Sequence, residues 1–119
     1  MEYMALIYAD EDGWEELSPA EREAWMERYT AFASDAREAG VMVDGDELAA
    51  SRDATTVRVR DGQTTVTDGP YAEVKEALGG YFVLDCPTID EAVAWAARIP
   101  GAAHGAVEVR PVHVDAEES

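Results

Sequence analysis

Apolar and polar positions alternate along this chain with two distinct periods, and the changes of period mark its elements. "EYMALIYA" (2–9) is apolar at nearly every position and holds the β-favouring Tyr3, Ile7 and Tyr8, which predicts a strand buried on both faces. An acidic loop, "DEDGWEE", follows. "SPAEREAWMERYTAFASDAREAG" then opens with Ser18 as N-cap, Pro19 at the first helical position and Glu21 completing a capping box. Trp25, Tyr29, Phe32, Ala33 and Ala36 recur at helical spacing, and Gly40 supplies the stop, so a helix with a core-facing aromatic row is expected. "VMVDGDEL" and "TTVRVRDGQTTVTDG" read as short strands punctuated by Asp-Gly pairs. "GGYFVLDC" (79–86) is a central strand, again apolar on both faces. "TIDEAVAWAARIPG" repeats the capping pattern with Thr88 and Glu91 and sets Ile89, Ala92, Val93, Ala96 and Ile99 on one side. "GAVEVRPVHV" closes the series as a strand.

The order β, α, β, β, extra hairpin, β, α, β describes an α+β chain. Its main elements give a ferredoxin-like βαββαβ sandwich, with both helices on one face of an antiparallel sheet. Such a sheet covers only one face, yet residues 2–9 and 81–84 carry apolar side chains toward both. A contiguous apolar patch is unusual on a soluble monomer, so a homodimer packed sheet on sheet is expected, with room for a small molecule between the sheets. Alternation sends Tyr8, Glu108 and Arg110 toward that cleft, although a parity shift of one residue would reverse each of them. Glu108 and Arg110, two apart on a strand, share a face and are able to bind a polar ligand together or to pair in solvent.

The 119 residues suit one domain, expected over 1–114 with an acidic tail at 115–119. With 26 acidic and 9 basic side chains the net charge is −17, which disfavours direct binding to phosphate backbones or anionic membranes. One cysteine, Cys86, excludes an intramolecular disulfide and any Cys/His metal spacing. The apolar start is flanked by acids and lacks a basic leader region or a membrane-spanning length, so a soluble cytoplasmic protein is expected.

The densest chemistry lies in "TDGPYAEVKEALGGYFVLD" (67–85). Asp68-Gly69-Pro70 forms a turn, since Gly tolerates positive φ, Pro fixes φ, and Asp bonds its own backbone. Taken alone, that is a structural corner. Beside it stand Tyr71, Glu73, Lys75 and Glu76, able to form a one-turn helix bearing donors and acceptors. Lys75 is the chain's only lysine and a titratable point charge, though a plain surface pair with Glu76 explains it equally.

These residues resemble the DGPF branch of the YCII-related family, with Tyr71 where the motif usually has Phe. "YMALIYAD", "LSPAEREAWMERYTAF", "IDEAVAWAARIP" and "GAVEVRPV" extend the resemblance over almost the whole chain. It implies a ferredoxin-like fold paired as a dimeric α+β barrel. It also implies an enzyme-like cleft, since members of the wider group are thought to use a His-Asp pair, one branch acting as a dehydrochlorinase on a chlorinated hydroquinone. Asp68 matches the acidic turn of the motif, but Tyr8 or Asp10 stands where the other branch has histidine, so that ready-made dyad is missing. DGPF proteins are also associated with extracytoplasmic-function sigma factors.

His104 and His113 are the remaining histidines, and a neutral His104 near Asp68 would form a general base with an orienting carboxylate. The expected activity is therefore that of a cofactor-independent small-molecule enzyme or enzyme-like binding protein. Asp68 would be acceptor or base, assisted by His104, Lys75 or Arg110, with Tyr8, Tyr71 and Glu108 contacting the ligand. A non-catalytic regulatory or ligand-sensing partner of a sigma factor is the alternative. Trp14, in the acidic loop, is expected to be a lid or a dimer contact, and Trp25, Tyr29 and Phe32 to be core.

Overall fold

A computed structural model describes residues 1–114; the expected acidic tail at 115–119 lies outside the described residues. The elements are β1 (Glu2–Asp10), α1 (Glu11–Glu15), α2 (Pro19–Glu38), β2 (Met42–Glu47), β3 (Thr55–Arg60), β4 (Gln63–Asp68), β5 (Glu76–Asp85), α3 (Ile89–Ala96) and β6 (Ala106–Pro111). Short 3₁₀ turns occupy Ser51–Asp53 and Pro100–Ala103. Strands β2, β5, β1 and β6 make one antiparallel sheet in that spatial order, while β3 and β4 pair only with each other. This is an α+β architecture, and its βαββαβ order is compatible with the ferredoxin-like sandwich.

Local chemistry starts α2 where the sequence places it. Ser18 accepts from the Glu21 N–H at 3.2 Å, and Glu21 accepts from the Ser18 N–H at 3.0 Å, so two orphan donors are satisfied reciprocally. The helix stops at Gly40, whose φ of 72° favours a residue without a Cβ. In α3 only half of the box forms: Thr88 accepts from the Glu91 N–H at 3.3 Å.

The core lies between the helices and one face of the sheet. Tyr3, Ala5 and Ile7 alternate inward from β1, opposite Leu84, Phe82 and Gly80 of β5. Phe32 and Ala36 descend on them from α2, and Ala92, Ala96 and Ile99 from α3 and the turn after it. Phe32 packs its ring 5.1 Å from that of Phe82 and 6.3 Å from that of Trp95.

Several details depart from the pattern reading. Residues 11–15, expected as loop, form α1, because Asp10 caps the turn by accepting from the Asp12 N–H at 3.0 Å. Residues 71–75 form no helix; they run as bends and irregular chain into β5, which begins at Glu76. Ile89 and Val93 are exposed, since positions 92, 96 and 99 take the inward face and leave 89 and 93 on its flank. Trp25 and Tyr29 are half-buried rather than core.

Helix α1 is tied to the turn at Ser51–Asp53 by charge. Glu11 accepts from the Ser51 N–H at 2.7 Å and from the Ser51 hydroxyl, and Arg52 donates to Glu15 at 2.7 Å. The Ser51 hydroxyl bond, then the Ser51 backbone bond, hold the Glu11 carboxyl below its ordinary 4.5. A lowered folded-state value adds stability above the unfolded value and loses it as pH falls through the folded one. Glu11→Gln is therefore expected to melt earlier than wild type at pH 7, with the difference shrinking below about pH 4.5. Thermal unfolding across pH 3 to 7 checks this, and a difference unchanged at pH 3 would mean the tie does not depend on charge.

Candidate functional site

Helix α2 turns two rows of side chains toward the sheet, and they behave differently. The row Phe32 and Ala36 seats in the core. The neighbouring row, Met26, Thr30, Ala33 and Arg37, stands over a cleft whose floor is Ile7 and Ala9 of β1, Gly79 to Phe82 of β5, and Gly45 to Glu47 of β2. The cavity measures about 440 Å³. Trp14 of α1 joins its wall, as does Tyr29.

Small residues make this opening. Ala33 above and Gly45, Gly79 and Gly80 below leave the layer unfilled where larger side chains would meet. Two of these glycines are also required by strand packing. A Cβ on Gly80 would lie 2.9 Å from the Asp46 carbonyl oxygen, and one on Gly45 would run into the Phe82 ring.

Tyr29 accepts a hydrogen bond from the Gly101 N–H at 3.1 Å. Burial pushes its phenol above the ordinary value, opposed by the Gly101 bond and reinforced by the charge of Glu47, so the neutral phenol persists at physiological pH. Arg37, Asp46 and Glu47 are the charged members of the lining, and Arg37 makes no ion pair with a described residue.

The residues singled out by sequence occupy other places. Tyr8 lies on the open face of the sheet, the one away from the helices, together with Met4, Leu6, Tyr81 and Val83. Glu108 is registered opposite Leu6 and Arg110 opposite Met4, so the alternation of "AVEVR" sends both to that face, where they pair at 2.7 Å. The structure thus brings Tyr8, Glu108 and Arg110 to one surface.

Asp68 ends β4 opposite Thr55. The turn after it is pinned to β3: the Gly69 N–H donates to the Ala54 carbonyl at 2.7 Å, and the Thr56 hydroxyl donates to the Gly69 carbonyl at 2.8 Å. Gly69 has φ of 103°, which explains glycine there. Tyr71 is exposed beneath Arg58, whose guanidinium carbon is 4.9 Å from the ring centroid. Lys75 is exposed and makes no ion pair with a described residue.

His104 follows the turn at Pro100–Ala103 and packs edge-on against Trp25, with centroids 4.7 Å apart. It shares a shallow surface hollow with Arg28, Asp35 and Arg98, and Arg98 pairs with Asp35 at 2.6 Å. Asp68, Lys75 and His104 do not bond one another, and none of them lines the cleft. His113 is exposed beyond the end of β6.

Sequence reading missed the cleft because its walls are read as core. Tyr29 and Ala33 sit in a helical apolar row, and nothing in periodicity separates a row that touches the sheet from one that stands off it. The available signal was the run of small residues at Gly79 and Gly80, set opposite Ala33 once the fold is known.

An antiparallel α+β sandwich with an open sheet face and a cleft beneath its long helix is the class these features define. The chain matches the model of the YCII-related domain over residues 1–114, and it belongs to that family. It is also similar to an uncharacterised protein of Rhizobium meliloti (strain 1021). The two are 37% identical over 114 residues, which cover 94% of this chain and 92% of the relative. Among the described residues, no helix is long and apolar enough to cross a membrane.

Proposed function

We propose that this chain is an enzyme-like small-molecule-binding protein that works without a cofactor, and that its ligand occupies the cleft beneath α2. The cavity of about 440 Å³ carries this reading. Helix–sheet layers are ordinarily close-packed, and a gap of this size walled by aromatic and aliphatic side chains is in the range of small-ligand pockets. Trp14, Tyr29 and Phe82 offer aromatic surface to a flat ring. Arg37 offers a fork of donors to an anionic group. An aromatic carboxylic acid or an acidic phenol has that combination.

Two copies pair through the open faces of their sheets in this reading. Met4, Leu6, Tyr81 and Val83 form an apolar band there that a single chain leaves without a covering layer. Pairing would place Tyr8 and the Glu108–Arg110 pair inside the dimeric barrel.

The test is a thermal-shift panel of aromatic carboxylic acids and phenols on wild type, Ala33→Trp and Arg37→Gln. A ligand at a hundred times its Kd stabilises the native state by about 2.7 kcal/mol. At least one compound is expected to raise the melting midpoint of wild type. That shift should vanish in Ala33→Trp, whose indole fills the cleft, and weaken in Arg37→Gln. A wild type that no compound shifts, or an unchanged response in Ala33→Trp, would remove the cleft as the binding site.

A further inference from the structure

We infer that the ligand of the cleft carries a cationic group as well as an anionic one, held apart at opposite ends of a ring, with Arg37 taking the anion and Glu47 the cation. The inference rests on the cleft reading above and narrows the class of molecule which that reading admits.

Two side-chain charges reach the cleft, and both are unpaired. Asp46 is registered with Tyr81, so alternation turns its carboxylate to the open face of the sheet, whereas Glu47, opposite Gly80, shares the helix side with Gly45 and Phe82. That leaves Glu47 and Arg37. Neither makes an ion pair with a described residue. Arg37 follows Ser34 and Ala33 by three and four positions, so the preceding turn of its own helix offers it no acid. A molecule lying between two opposite charges that do not meet is able to satisfy both.

Topology sets these charges at opposite ends of the cleft. The Val41 N–H donates to the Ala36 carbonyl at 2.9 Å, so β2 starts beside the last turn of α2, and Glu47 lies five strand steps beyond Met42, about 17 Å. Arg37 stands at the start of that path. Tyr29 is eight positions back along α2, about 12 Å, and its phenol feels the charge of Glu47, so the far end of β2 lies under Tyr29. Along the floor, Gly80 and Ile7 belong to the Glu47 end, and Phe82 sits opposite Gly45, nearer Arg37. The surface between the charges is glycine and aromatic, which suits a flat ring. An α-amino acid bears both charged groups on one carbon and reaches one end at a time; a ring substituted at opposite positions reaches both.

The charge of the whole molecule points the same way. At a net −17 the body repels a ligand that is purely anionic, which is the kind that Arg37 alone would select. An added ammonium makes the ligand neutral overall. Its three donors meet the Glu47 carboxylate and the lone pair that the Gly101 bond leaves open on the Tyr29 oxygen.

Calorimetric titration of the full chain tests this with three matched compounds: para-(aminomethyl)benzoate, para-methylbenzoate, which lacks the ammonium, and para-methylbenzylamine, which lacks the carboxylate. The first is expected to bind wild type about tenfold more tightly than either of the others. Glu47→Gln should remove its advantage over para-methylbenzoate, and Arg37→Gln its advantage over para-methylbenzylamine. Both side chains are exposed and unpaired, so each variant should melt at the wild-type midpoint without ligand. Glu27→Gln takes the same charge from α2 outside the cleft and should keep both advantages. L-phenylalanine, with its charges on one carbon, should bind no more tightly than phenylpropanoate. Binding of para-methylbenzoate that Ala33→Trp abolishes, with no gain from the ammonium, overturns the inference and leaves the cleft reading standing. An ammonium gain that Glu47→Gln preserves, or that Glu27→Gln removes as fully, overturns it too, because the body's charge and not Glu47 would then be the cause. Binding of the doubly charged compound that Ala33→Trp leaves unchanged overturns the cleft and this inference together.

Discussion

Phe32→Ala should lower the unfolding free energy by about 3–5 kcal/mol, the range for truncating a buried phenylalanine. The side chain is 4% exposed and meets Phe82 and Trp95, so it joins α2 to β5 and to α3 at once. Its removal leaves a hole that Ala36, Ala92 and Ala96 are too short to fill. Domains of this size are stable by about 5–15 kcal/mol, so the variant would sit near the edge of folding. Chemical denaturation checks it, through a lower midpoint with an unchanged slope. A loss below about 1 kcal/mol would show that the layer collapses around the gap. The same variant bears on the cleft, because Phe82 belongs to both the core and the cleft floor. If Phe82 relaxes toward the vacated space, the cleft widens, and a ligand found with wild type should bind more weakly.

The elements were legible in the sequence wherever local chemistry dictates them. Ser18, Pro19 and Glu21 specify where α2 starts regardless of tertiary contacts, and Asp61-Gly62 specifies the hairpin turn, where φ is 52° and 76°. Strand parity was legible for a similar reason, since Val107 and Val109 alternate with Glu108 and Arg110, and register then puts the charged pair on the open face. The short α1 was not legible, because a five-residue helix is held by Asp10 and by the Glu11–Ser51 tie, a contact 40 residues away in sequence. The surroundings of Asp68, His104 and Lys75 were beyond the sequence for the same reason: which element a loop residue packs against is set by long-range contact. His104 found Trp25, and Tyr71 found Arg58. The cleft is the extreme case, being an absence of packing between two segments that each look fit for a core.

Two glycines after α3 should respond differently when changed to alanine, and the contrast locates what holds the cleft. A Cβ on Gly105 would run into the Tyr8 carbonyl oxygen and stand 3.1 Å from the Ala9 Cα. Those atoms are backbone of the central strand, so relief requires drawing the start of β6 away from β1, where Ala106 is registered with Tyr8. Overpacking of this kind costs about 1–3 kcal/mol, and an immovable neighbour places Gly105→Ala at or above the top of that range. On Gly101 the Cβ would instead meet the Tyr29 hydroxyl at 2.7 Å, the end of a long side chain, and at 2.9 Å the Ile7 Cγ2, a branch methyl that yields only by turning about the Ile7 Cα–Cβ bond. Tyr29 is able to swing, giving up its bond from the Gly101 N–H, and the loss of one such bond is worth about 0.5–1.5 kcal/mol. Gly101→Ala should therefore fold with a modest loss but disturb the cleft that Tyr29 lines, whereas Gly105→Ala should unfold early. Melting midpoints with and without a ligand found with wild type separate the two effects. If Gly101→Ala keeps the full ligand-induced shift, Tyr29 contributes no contact to the bound molecule, and the ligand's ring rests on Trp14 and Phe82 instead.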